Sequence, residues 1–312
     1  MSTSTTNFLC LGLFGAALGL PGCTKAENAA SVPPASPVAE ADASASDVDG
    51  AAILASVLDG AHRKSESKSR DPHRHPQETL EFFGVQPDHH VVELWAGGGW
   101  YTEILGPYLH QGGGALTVTL YDKDGPEAYY GTRQAKRMLD RFEAERETLG
   151  PVGHVVVPLA ITMKEDKVDS VEVKPFSLGE PGTADVVLTF RNSHGWLRSG
   201  AAPLVYGAAF EALKPGGVFG VVQHRAAEGT DPAETSKAGY VSEAAIIEAV
   251  VAAGFVLDAR SELNANPRDT KDYAGGVWTL PPSLSQGEAE RDKYLEIGES
   301  DRMTLRFVKP KA

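Results

Sequence analysis

Cysteine is nearly absent from this chain. Its two cysteines, Cys10 and Cys23, both lie at the N-terminal end, so the body can hold neither a disulfide framework nor a thiolate metal site. Basic charge is also short: 29 Lys and Arg stand against 42 Asp and Glu, a formal net charge of −13. Binding nucleic acid requires a basic footprint, and no nucleic-acid partner is expected. The segment from Arg63 to Arg74 is the one obvious basic concentration, and acids interrupt it. The apolar stretch Phe8 to Leu20 falls short of the ~20 residues needed to cross a bilayer. His73 and His75 flank Arg74 in a Pro-rich turn, and His89-His90 follow. No third ligand stands at the spacing zinc sites show, so no metal is expected.

What is present begins with an address. Phe8 to Leu20 has the length of a signal-peptide apolar region. It ends in Leu20-Pro21-Gly22-Cys23, which resembles the lipobox of bacterial lipoproteins, in which the cysteine is lipidated and becomes the first residue. Residues 1–22 are therefore expected to be a signal peptide and Cys23 a lipidation site. The segment that follows, to Gly50, is rich in Ala, Ser, Pro, Asp and Glu and lacks aromatic residues, the composition of a flexible tether. The expected location is the periplasmic face of a cell envelope, held to membrane through lipid, with Thr24 after the cysteine favouring the outer membrane. A soluble periplasmic protein is the alternative.

Residues 51–312 read as one α/β domain. Short apolar runs alternate with helical periodicity: strands over His90–Trp95, Ala115–Tyr121, Ala184–Phe190, Val218–Gln223, Phe255–Ser261 and Met303–Val308, with helices between them. The third strand is open between His154–Leu159, which is preferred, and Val171–Pro175. One long helix is expected over Tyr129–Leu149. Such alternation means an open, mostly parallel twisted sheet with helices on both faces. Ligands in such sheets bind beyond the carboxyl ends of the strands, which directs attention to Trp95–Gly99, Asp122, Arg191–His194 and Gln223–Arg225.

The richest of these is Val91-Val92-Glu93-Leu94-Trp95-Ala96-Gly97-Gly98-Gly99-Trp100-Tyr101. An apolar strand ends beside an acid, a glycine turn follows, and helical spacing resumes. Consecutive glycines without a third at the required distance exclude the dinucleotide pattern G-x-G-x-x-G. The segment resembles motif I of class I S-adenosylmethionine (SAM)-dependent methyltransferases, with Glu93 as its acid and Gly97 and Gly99 as its second and third glycines. Trp95 replaces the first glycine. Leu213-Lys214-Pro215-Gly216-Gly217 resembles the turn before that family's fifth strand. More narrowly, Glu93–Thr102, Phe190–His194 and Ile297–Met303 are similar to a bacterial group of predicted methyltransferases.

That resemblance implies a Rossmann-like fold with an antiparallel last strand, SAM as cofactor and a small-molecule acceptor. It places the cofactor on Glu93, Trp95, Gly97, Gly98 and Gly99, with Asp122 accepting from the ribose hydroxyls. His194, Asn192 and His224, which follow strand ends, are the catalytic candidates: His194 as base, Asn192 as positioner, His224 as second choice. A non-catalytic envelope lipoprotein using the same fold as a binding scaffold is the competing reading, because fold does not dictate activity.

Overall fold

The computed structural model describes residues 45–311. Cys23 and the signal, lipobox and most of the tether assignments lie outside the described residues. Within them, no helix is long and apolar enough to cross a membrane.

Nine strands form in the described chain: β1 (His90–Leu94), β2 (Ala115–Leu120), β3 (Val152–Val156), β4 (Leu159–Lys164), β5 (Lys167–Val173), β6 (Ala184–Phe190), β7 (Leu213–His224), β8 (Val256–Ser261) and β9 (Arg302–Val308). Seven make one sheet in the order β3-β2-β1-β6-β7-β9-β8. All neighbours run parallel except β9, which is antiparallel to both β7 and β8. This is a doubly wound, Rossmann-like topology, in which the order of the strands reverses between β1 and β6 while the two run parallel. A crevice opens at such a reversal, because the connections from adjacent strands leave to opposite faces.

Period-2 side-chain alternation fixes the register. In β1, Val91 packs on one face with Ile104, Leu105 and Leu109 of the helix Thr102–Gly112, while Val92 and Leu94 pack on the other with Val205, Tyr206 and Ala209 of the helix Ala202–Ala212. In β6, Val186 and Leu188 join the first layer and Val187 the second. Each fully buried aliphatic side chain contributes roughly 1.5–3 kcal/mol. A one-residue slip would exchange the faces and forfeit both layers at once.

The element boundaries differ from expectation in places. The third strand, Val152–Val156, overlaps the preferred candidate His154–Leu159 but starts earlier, and Leu159 and Val171 both fall in a separate antiparallel hairpin, β4–β5. The expected long helix breaks at Glu145 (φ −106°, ψ 18°) into Tyr130–Ala144 and Arg146–Leu149. The first described helix runs Ala45–Asp59 and so begins before the expected domain start at residue 51. The residues after β6 form the helix Ser193–Ser199, with Asn192 immediately before it.

Candidate functional site

A cavity of about 730 Å³ opens where β1, β6 and β7 end. Its floor is the turn after β1, where Trp95 (φ 46°), Gly97 (φ 62°) and Gly99 (φ 77°) are all left-handed. Holding an L-residue there costs roughly 1–2 kcal/mol, which is why glycine suits the first position of such a turn. Trp95 is held by its surroundings instead. Its backbone N–H donates to Thr119 Oγ1 at 2.7 Å, and its indole sits among Tyr121, Phe176 and Trp196 at centroid distances of 6.3, 6.1 and 4.9 Å. Those edge-on and tilted contacts offset the strained backbone.

The glycines divide the work of the turn. Gly97 and Gly98 line the cavity, and a Cβ on Gly98 would meet nothing within 4 Å. A ligand can therefore approach this backbone closely. Gly99 faces the other way, where a Cβ would come within 2.9 Å of Met138 Cε. It is a packing glycine for the helix Tyr130–Ala144.

Glu93 also lines the cavity yet is only 2% exposed. It accepts from Thr102 Oγ1 at 2.6 Å, tying the strand end to the first turn of the next helix. Burial pushes its carboxyl up to about 8, against the opposing influences of Thr102 and Arg191. Glu93 is thus neutral at pH 7, a buried hydrogen-bonding group rather than a counter-ion.

The structure does not bring Asp122 to the cavity. Strand β2 ends at Leu120, and successive side chains beyond it turn to opposite sides. Tyr121 takes the inner position and lines the wall. Asp122 is exposed, and its Oδ1 accepts from the Asp124 N–H at 2.8 Å in a local turn. The carboxylates that reach the cavity are Glu93, Glu103, Glu145 and Glu299.

Asn192, His194 and His224 do converge there. The Asn192 amide donates to the carbonyl oxygens of Leu94 and Trp95 and to Thr189 Oγ1, clamping the end of β6 onto the glycine turn. His194 lies in the first turn of the helix Ser193–Ser199, its ring 6.1 Å from that of His224 and 5.8 Å from that of Trp278. Burial chiefly, then Arg198, pulls its pKa down to about 4. Gln223 Nε2, which donates to Gly239 O at 2.9 Å, also lies 3.4 Å from His194 Nδ1. An amide nitrogen can only donate, so Nδ1 accepts and the neutral ring carries its proton on Nε2. His224 Nδ1 lies 2.5 Å from Ser300 Oγ. Burial first, and then His194, holds His224 well below the ordinary histidine range.

Three arginines from distant parts of the chain grip one carboxylate beside the cavity. Arg70 Nε donates to Glu299 Oε1 at 2.8 Å, Arg74 Nε to both Glu299 oxygens, and Arg302 Nη1 to Glu299 Oε2 at 2.9 Å. Arg74, 1% exposed, also lies 4.6 Å from the centre of the Trp100 ring. Asp301, which adjacency would pair with Arg302, instead pairs with Arg225 and Lys271. The strand-end rule pointed at Arg191. Glu299 stands more than 220 residues along the chain from Arg70 and Arg74, and no local pattern announces such a contact.

No protein-family model matches this chain, and no curated protein sequence matches it. Solved structures do. It is similar to a SAM-dependent methyltransferase from Aquifex aeolicus at 13% identity, over 82% of this chain and 98% of that one, with a TM-score of 0.44. A second, from Mesorhizobium loti, shares 14% identity over 80% and 99% of the two chains, with a TM-score of 0.41. The [4+2]-cyclase SpnF shares 14% identity over 86% and 95%, with a TM-score of 0.49. The likeness is one of fold.

Proposed function

We propose that this chain binds SAM in the cavity and transfers its methyl group to a small-molecule acceptor. One observation carries the reading: the open Gly97–Gly98 backbone at the β1 end, facing the Asn192–His194 segment across the strand reversal. Aromatic walls from Trp95, Tyr121 and Tyr130 suit an adenine ring or a sulfonium cation. The residues present fit the cofactor except at Asp122, so a ribose contact from that carboxylate is not part of the proposal.

When bound, SAM supplies an electrophilic methyl group on a sulfonium centre. Methyl transfer then needs mainly alignment of two reactants and exclusion of water. Asn192 fixes the distance between the glycine turn and the β6 end. Glu93, neutral, holds the turn without adding charge. His194 presents an Nε2–H, a hydrogen-bond donor toward an acceptor oxygen. Its low pKa makes it a weak base, well suited to orienting a substrate that needs little deprotonation.

Calorimetry of the full-length chain with S-adenosylhomocysteine tests this. The parent is expected to bind, and Gly98→Leu, which fills open space without a left-handed backbone penalty, is expected to lose at least tenfold in affinity. A folded parent that binds nothing at millimolar ligand would leave the scaffold reading standing. Location is part of the same proposal. A lipid anchor at Cys23 is supported by the apolar stretch and box before it. Cys23→Ser should release the protein from membrane fractions, and unchanged fractionation would refute the anchor.

A further inference from the structure

Arg191 is the unusual charge in this cavity. It follows β6 directly, with its backbone held left-handed at φ 66° and its N–H donating to Val222 O at 2.7 Å. The other two arginines lining the cavity have carboxylate partners: Arg70 has Glu299, and Arg141 has Glu103 and Glu145. Arg191 forms no side-chain hydrogen bond or ion pair with any described residue, although it is half-buried and lines the cavity. Burial lowers its pKa to about 10, which leaves it charged at neutral pH.

The carboxylates around it cannot balance this charge. Glu299 already accepts from Arg70, Arg74 and Arg302, so four guanidinium groups, Arg191 included, face one anion. Glu93, which also feels Arg191, is neutral at pH 7. Two buried nitrogens of Arg74, Nη1 and Nη2, and Nε of Arg302 are likewise without partners. A positive excess in the centre of a chain whose net charge is −13 is expensive unless a ligand supplies the missing negative charge. A guanidinium fork matches a carboxylate in two parallel hydrogen bonds.

We infer that Arg191 is a carboxylate-binding residue and that the cavity's ligand carries a carboxylate, which meets its fork at the end of β6. This rests on the methyl-transfer reading only for what the ligand is. The carboxylate belongs either to the methyl acceptor or to the methionine end of the cofactor, and two pairs of probes separate these sources.

Calorimetry on the full-length parent, Arg191→Gln and, as a surface control, Arg146→Gln would compare SAM with decarboxylated SAM, and benzoate with benzamide. The parent and the control should prefer the carboxylate member of at least one pair by tenfold or more, and Arg191→Gln should erase that preference. Preference within the SAM pair assigns the carboxylate to the cofactor; preference within the benzoate pair assigns it to the acceptor. Benzoate preference without any SAM binding keeps the carboxylate site and removes the methyl-transfer reading. SAM binding with no preference in either pair does the reverse. A preference that survives in Arg191→Gln overturns the assignment. Thermal melting supplies an independent readout, because removing a half-buried charge that has no partner in the fold should leave the midpoint unchanged or raised, whereas a structural arginine would lower it. Should Arg191→Gln fail to fold, Arg191→Lys, which keeps charge without the fork, must still weaken the preference at least threefold.

Discussion

The side-chain amide of Asn192 donates to the carbonyl oxygen of Trp95 at 3.3 Å and to that of Leu94 at 3.0 Å, joining the ends of β6 and β1. One carbonyl ends β1 and the other opens the strained turn under the cavity. An unsatisfied buried polar group costs about 1–3 kcal/mol, so Asn192→Ala should destabilise by that amount in urea unfolding. Asn192→Asp should cost more, because it sets a negative oxygen against two carbonyls where a donor stood. Equal stability of the two variants would show that the clamp is not an energetic link.

Trp95 invites a comparison that reverses the usual ranking of small residues. Replacing a buried tryptophan by alanine costs about 3–5 kcal/mol, and the nest of Tyr121, Phe176 and Trp196 would collapse only in part. At φ 46°, however, glycine escapes a penalty of roughly 1–2 kcal/mol that alanine retains. Trp95→Gly should therefore be more stable than Trp95→Ala by about 1 kcal/mol, measured as the shift in denaturation midpoint. Alanine proving the better substitute would mean that the backbone relaxes out of the left-handed region.

The strands and the glycine turn were legible because each is a local pattern. Val91-Val92, Val186-Val187-Leu188 and their neighbours alternate between two apolar layers. Convergence of Asn192, His194 and His224 followed from the rule about strand ends. Asp122 did not follow, since one residue of difference at the end of β2 decides whether Tyr121 or Asp122 faces inward. The β4–β5 hairpin was legible only in part, as the alternative strand at Val171, because none of its residues is fully buried and no apolar layer marks its pairing. The Arg70–Arg74–Arg302 grip on Glu299 joins distant segments, and only the folded chain brings them together.

Glu93 gives stability a specific dependence on pH. Its folded pKa of about 8 exceeds the ordinary 4.5, so between these values the native state binds more proton than the unfolded chain. Stability then falls as pH rises through that window. From pH 6.5 to 8 Glu93 should lower stability by on the order of 1–2 kcal/mol, against a smaller opposite rise as His194 and His224, kept neutral by burial in the fold, lose their remaining charge in the unfolded chain. Glu93→Gln, which keeps a polar group beside Thr102, should flatten that slope in urea titrations at pH 6.5 and 8. A slope unchanged by the substitution would assign it to another group.

His194 titrates in the opposite sense. Its pKa is drawn down to about 4 by burial and by Arg198, so between pH 4 and 6.5 the unfolded chain takes up the proton that the native ring refuses. Stability is full above pH 6.5 and declines on acidification toward 4, by on the order of 2–3 kcal/mol from this group. An NMR titration following the ring should therefore show a midpoint near 4 and no inflection near 6.5. Catalysis should carry the same signature. With a neutral imidazole whose proton sits on Nε2, turnover would show no His194 limb between pH 5 and 8, and His194→Ala would lower its plateau without changing its shape. A limb near 6.5 that vanishes in His194→Ala would instead make His194 a general base of ordinary strength, and would require its ring to be more open to water than its contacts with Gln223 and Trp278 allow.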